Sequence, residues 1–202
     1  MNFRQRLSVI LLCLFSCACS AGEPSTAKGH EQTTTGGDAV AQQNAMASTT
    51  CAAGDQVVFS CPLAKGTKIA SVCATQGKSG AATTFYYAFG HAGAAEFRFP
   101  APGHGDKATF SRTHLGFAGN TGGYAYSFAN AGYKYIVYAI SGEGSSRDGG
   151  VIVQPLDHSK PATKLACRAT AITETSDDQL IDTTLELKKD PQIESSGLPE
   201  SR

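Results

Sequence analysis

The sequence predicts an all-β domain: a small antiparallel β-sandwich or barrel, stapled by disulfides, with a short C-terminal helix. Three observations predict it. Strand-like apolar and aromatic runs recur with turn signals every ten or so residues, and no alternation of strand with helix is visible. Glycine is abundant at 22 residues, tryptophan is absent, and tyrosine and phenylalanine contribute 7 and 10; glycine-punctuated aromatic runs suit strands and tight turns. Four cysteines lie downstream of an export-like leader, where pairing is the expected state.

Taken in order, Met1 to Ser20 reads as an export signal, with Arg4 and Arg6 before an apolar core, Leu7 to Phe15, too short to span a bilayer. Leu14-Phe15-Ser16-Cys17 resembles a bacterial lipobox and places lipidation on Cys17. Ser16-Cys17-Ala18-Cys19 fits less well, and ordinary cleavage after Ser20 or Ala21 is the alternative. Neither Ala18 nor Ser20 is the aspartate that retains lipoproteins at the inner membrane. The expected location is the periplasm, anchored to the outer membrane, with the lipid as the sole membrane contact. Residues 21–50 are small, polar and without hydrophobic period, as in a disordered tether.

The β domain is expected over residues 51–170. Val57 to Ala74 reads as two strands around a Pro/Gly/Lys turn. Thr83 to Phe89 is aromatic and β-branched, and Gly90 to Gly93 turns the chain. Ala95, Phe97 and Phe99 alternate with Glu96 and Arg98. Pro100 to Asp106 is a break, and Ala108 to Ala118 a weaker strand. Tyr124 to Phe128 and Tyr133 to Ile140, turned at Asn130-Ala131-Gly132, form the clearest hairpin. Ser141 to Gly150 reads as a long glycine-rich loop, followed by strands at Val151 to Val153 and Lys164 to Cys167. Residues 171–202 read as a polar tail, with one helix capped by Ser176 and running toward Leu187, and a frayed end from Asp190.

Cys51, Cys61, Cys73 and Cys167 allow three pairings. In the Val57–Ala74 hairpin, Cys61 should face about Ile69, and Cys73 about Val57. That separates Cys61 from Cys73 by roughly 13 Å of strand, whereas a disulfide needs Cα atoms within about 7 Å. Cys51–Cys73 with Cys61–Cys167 is preferred, and Cys51–Cys61 with Cys73–Cys167 is the other candidate. No CxxC motif or Cys/His cluster occurs in the domain, so no metal is expected.

Lys+Arg and Asp+Glu balance at 17 each, which gives no electrostatic basis for a nucleic-acid partner. Gly77-Lys78-Ser79 lacks the spacing of a phosphate loop, and Gly142 to Ser146 is not a nucleophile elbow. His91, His104, His114 and His158 are scattered. No catalytic residue or cofactor is expected. Tyr124, Tyr126, Tyr133 and Tyr135 suit cross-strand pairs better than an exposed aromatic platform.

The ordered set VVFSC, KIASVCA, FYYAFG, AEFRFP, YSFANAGYKYIVY, GVIV and KLACRA, over Cys51 to Ala169, resembles a family of small exported bacterial proteins, often lipoproteins. A departure is Tyr87-Ala88-Phe89-Gly90, where the family usually carries arginine at the second position. The architecture looks like that of periplasmic immunity proteins and lysozyme inhibitors. The resemblance implies a non-enzymatic protein that binds and neutralises a cognate toxin or peptidoglycan hydrolase. The alternative is an envelope lipoprotein binding a glycan or small ligand. For an inhibitor, the candidate partner-binding loop is Ser141, Gly142, Glu143, Gly144, Ser145, Ser146, Arg147 and Asp148. Its glycines would permit close approach, its serines would hydrogen-bond a catalytic carboxylate, and Arg147 would pair with that carboxylate.

Overall fold

In the computed structural model, residues 48–77, 82–104, 109–145 and 147–200 are described. The leader, Cys17, the tether up to residue 47 and Ser146 lie outside the described residues.

Among the described residues, ten strands form two five-stranded antiparallel sheets. The first contains β1 (Gln56–Pro62), β2 (Ile69–Gln76), β3 (Ala82–His91), β4 (Ala94–Phe99) and β10 (Thr173–Glu174), in the order β10-β1-β2-β3-β4. The second contains β5 (Ser111–Phe117), β6 (Thr121–Asn130), β7 (Tyr133–Ser141), β8 (Arg147–Pro155) and β9 (Thr163–Ala166), in sequential order. Side chains of both sheets share one core, so the architecture is a sandwich. Phe59, Val72, Phe85 and Tyr87 from the first sheet meet Tyr126, Phe128, Val137 and Val151 from the second. Phe128 and Tyr135, directly opposite across β6 and β7, stack with centroids 4.9 Å apart and planes 1° apart. Phe99 stacks on Phe128 from the other sheet at 4.9 Å. Such aromatic pairs contribute beyond their buried area.

The chain crosses between sheets twice. After β4 it leaves through a cis Phe99–Pro100 bond. After β9 it returns to place β10 beside β1, and here the sheets are bonded together. Ala64 N–H donates to Ala166 O at 2.8 Å, and Arg168 N–H to Pro62 O at 2.9 Å. Cys61 and Cys167 form a disulfide at this corner, with Cα atoms 5.6 Å apart.

Each sheet also has a covered outer face. On the first, Ser48 to Asp55 lies as a strap. Cys51 bonds to Cys73, Thr50 N–H donates to Ser71 Oγ at 3.1 Å, and Thr50 Oγ1 donates to Ala88 O at 3.0 Å. Thr49 and Thr50, expected in the tether, belong to this strap, where both are buried and hydrogen-bonded. On the second sheet, Leu115, Ala125, Ile136, Tyr138 and Ile152 are buried with Ile193.

The C-terminal region corrects the expected tail. Helix α1 (Asp178–Leu185) is capped by Asp177, whose carboxylate accepts from Leu180 N–H at 3.0 Å, rather than by Ser176. It buries Leu180 and Thr184. Helix α2 (Pro191–Ser196) follows where a frayed end was expected. Asp190 caps it, accepting from Gln192 and Ile193 N–H, and Pro191 occupies its first turn, where a missing N–H costs nothing.

The β6–β7 hairpin has a two-residue loop, with Ala131 at φ 48° and Gly132 at φ 81°. Positive φ at both central positions is a type I′ turn, which favours Asn-Gly. Alanine is strained there, so Ala131→Asn is expected to raise stability by about 0.5–1 kcal/mol, read as a higher denaturant midpoint with unchanged slope.

Candidate functional site

Two hairpin loops meet at one end of the second sheet. The β5–β6 connection, Ala118 to Asn120, uses positive φ at Gly119 and Asn120. The β7–β8 connection is shorter than the expected ten-residue loop. Ser141 ends β7 and pairs with Arg147 at the start of β8, leaving residues 142–146 as the connection, with a 3-10 turn at Glu143–Ser145. Gly149 and Gly150 belong to β8, and close packing explains them. A Cβ on Gly149 would lie 2.9 Å from Ile172 Cδ1, and one on Gly150 would lie 2.5 Å from Leu165 O.

The loops are joined by a side-chain bond: Asn120 Nδ2–H donates to Glu143 Oε1 at 3.0 Å. Beneath them lies a cleft of about 300 Å³ lined by His114, Asn120, Tyr124, Ser141 and Glu174. Its floor includes Gly123, where a Cβ would collide with Ala139 O. Glu174, on β10, reaches across from the first sheet. It accepts a hydrogen bond from the Tyr124 hydroxyl at 2.6 Å and pairs with the Arg147 guanidinium. Burial, followed by the Glu174 carboxylate, pushes the Tyr124 hydroxyl pKa upward, so this hydroxyl stays a donor.

The structure therefore distributes the expected loop residues over different tasks. Gly142, Glu143, Gly144 and Ser145 belong to the connection, where Glu143 and Gly144 are exposed and Glu143 is held by Asn120. Arg147 turns inward, donating also to Ile172 O at 3.2 Å. The guanidinium expected to reach a partner's carboxylate already has one, on Glu174. Asp148 accepts from Lys164 at 3.2 Å and from the Tyr138 hydroxyl at 3.3 Å, on β8 itself. Asn120, His114, Tyr124 and Glu174 were not legible as parts of this site. Tyr124 and Glu174 are 50 residues apart in sequence, and no local pattern joins them.

The remaining tyrosines do not form a platform. Tyr126 is buried, and Tyr124 and Tyr135 pack against the core. Tyr133 alone of the four is exposed. Among the described residues, no group of three His, Cys, Asp or Glu side chains could hold a metal ion. The cleft offers hydrogen-bond donors and acceptors from both sheets. No family model, no curated protein and no solved structure matches the chain.

Proposed function

We propose that the protein is an exported, lipid-anchored inhibitor that binds and neutralises a cell-wall-targeting toxin or peptidoglycan hydrolase, without catalysis of its own. The observation that carries this reading is the Asn120–Glu143 bond, which makes two hairpin loops a single pre-organised polar edge. Pre-organisation lowers the entropy cost of association, the largest obstacle for a loop-based binder. The export signal and the Cys51–Cys73 and Cys61–Cys167 disulfides support a periplasmic setting. The interior position of Tyr124, Tyr126 and Tyr135 weighs against the alternative, an envelope lipoprotein that binds a glycan or small ligand on the tyrosine-rich second sheet.

In this reading the 142–146 connection enters the partner's cleft, and Arg147 stays with Glu174 to brace it. The expected result is that Asn120→Ala with Glu143→Ala lowers inhibition of the partner about tenfold or more, with a near-wild-type melting temperature because both side chains are on the surface. The partner is sought by pull-down with the exported chain from cells that also express the adjacent gene. Recovery of no wall-active protein, combined with no protection of cells challenged by the adjacent gene's product, overturns the proposal.

A further inference from the structure

A second polar cleft, of about 270 Å³, lies on the outer face of the first sheet beside the strap. Its walls include Thr75, Thr84, Tyr86, Arg98, Pro100 and His104. Arg98 is the unusual member. Its guanidinium carbon sits over the Tyr86 ring, 3.6 Å from the centroid, so the cation rests on an aromatic face. Among the described residues its Nε is buried without a hydrogen-bond partner. No described carboxylate forms an ion pair with it. A guanidinium is charged at every physiological pH and carries five donors in its plane. The stacking occupies the face of that cation and leaves its in-plane donors for a ligand. A buried Nε–H without an acceptor costs free energy, and an oxyanion on the guanidinium would recover it.

The ring beneath Arg98 is fixed from the strap. The Tyr86 hydroxyl donates to Asp55 Oδ2 at 2.7 Å and accepts from Ala52 N–H at 2.9 Å. Asp55 is thus engaged by the ring's hydroxyl. The Cys51–Cys73 disulfide anchors the same strap. The cation is consequently held in place before any ligand arrives, with the imidazole of His104 and the hydroxyl of Thr84 on the neighbouring walls.

We propose that this cleft binds a small oxyanion, a carboxylate or a phosphate group, on the in-plane donors of Arg98. The shared chemistry is a planar or tetrahedral set of acceptor oxygens matched to the guanidinium fork. The site is on a different face from the loops at the end of the second sheet, and it stands or falls independently of the inhibitor reading.

The test is a titration of the isotopically labelled, disulfide-bonded chain with sodium acetate and with sodium phosphate, against sodium chloride at matched ionic strength. The Arg98 Nε–Hε resonance and the amides of Thr75, Thr84 and His104 report binding. Saturable shifts with acetate, with phosphate or with both, absent with chloride, are expected. The response to acetate alone assigns a carboxylate, and the response to phosphate alone assigns a phosphate group. Arg98→Gln leaves a shorter, polar, uncharged side chain and should weaken binding about tenfold to a hundredfold. Arg98→Lys should weaken it less. No saturable shift with either oxyanion, shifts reproduced by chloride, or amide shifts of Thr75, Thr84 and His104 that saturate equally in Arg98→Gln would overturn the proposal.

Discussion

Removing the Cys61–Cys167 disulfide, by replacing both cysteines with alanine, is expected to cost about 4–5 kcal/mol, a large share of the 5–15 kcal/mol typical of a folded domain. The size follows from the chain between the cysteines. They are 106 positions apart, whereas Cys51 and Cys73 are 22 apart. In the loop-closure account these separations correspond to about 4.7 and 3.3 kcal/mol of unfolded-chain entropy. The two bridges should also fail differently. Cys61–Cys167 sits where β1 meets the end of β9, so its loss loosens the corner at which the two sheets are bonded. Cys51–Cys73 holds only the strap. Without it, the amides of Thr50 to Ala52 and of Gly93, which donates to Thr49 O, should exchange faster while the sandwich core stays protected. Denaturant melts of both double variants, with hydrogen exchange resolved by residue, check this. Equal costs with the same exchange pattern would show that sequence separation does not govern these bridges.

The same corner shows what could be read from the sequence and what could not. The Val57–Ala74 hairpin was legible because its turn sits between two runs whose residues can be counted off against each other. Val57 does face Cys73. Cys61 faces Ala70 rather than Ile69, because a bulge at Val58 takes up one residue of β1. A bulge of that kind has no glycine or proline to announce it. The long apolar runs of β2, β3 and β7 were legible as strands, but their burial on both faces was not. That burial depends on the strap and on α2, segments that look polar in isolation. Gly149 and Gly150 were misleading because glycine marks both loose turns and close approach, and only the position of Ile172 and Leu165 distinguishes them. At the candidate site, the 142–146 connection was legible as turn chemistry. Asn120 and Glu174 were not, since each arrives from a different hairpin or sheet.

Asp190→Ala is the second large effect, expected at about 3–5 kcal/mol. This carboxylate is buried where the tail was expected to fray. It accepts from Lys134 Nζ at 2.7 Å, from Ser127 Oγ at 2.7 Å, and from the first amides of α2, while its own N–H donates to Thr113 Oγ1 at 2.8 Å. Truncation removes the helix cap, worth about 1 kcal/mol, and leaves a largely covered lysine ammonium with Gln192 Oε1, at 3.0 Å, in place of a carboxylate, which costs more than the lost cap. Asp190→Asn separates the two, since asparagine can cap but cannot neutralise Lys134; most of the loss should remain. Burial by itself raises the Asp190 pKa, but Lys134, Ser127 and the Ile193 amide together outweigh it and hold the carboxyl below its ordinary value of 3.8. A depressed folded pKa means that this contribution is complete above the unfolded value and is lost as pH falls through the folded one. The gap in stability between the wild type and Asp190→Asn should therefore be widest near neutrality and narrow below about pH 4. Urea melts across that range measure it, and a gap that stays constant down to about pH 2 would mean that the Lys134–Asp190 charge pair contributes nothing to holding α2 on the second sheet. The covering of that sheet depends on it: Ile193, early in the helix, closes the outer face over Ile136 and Ile152, so amides of α2 should be the first to lose exchange protection in either variant.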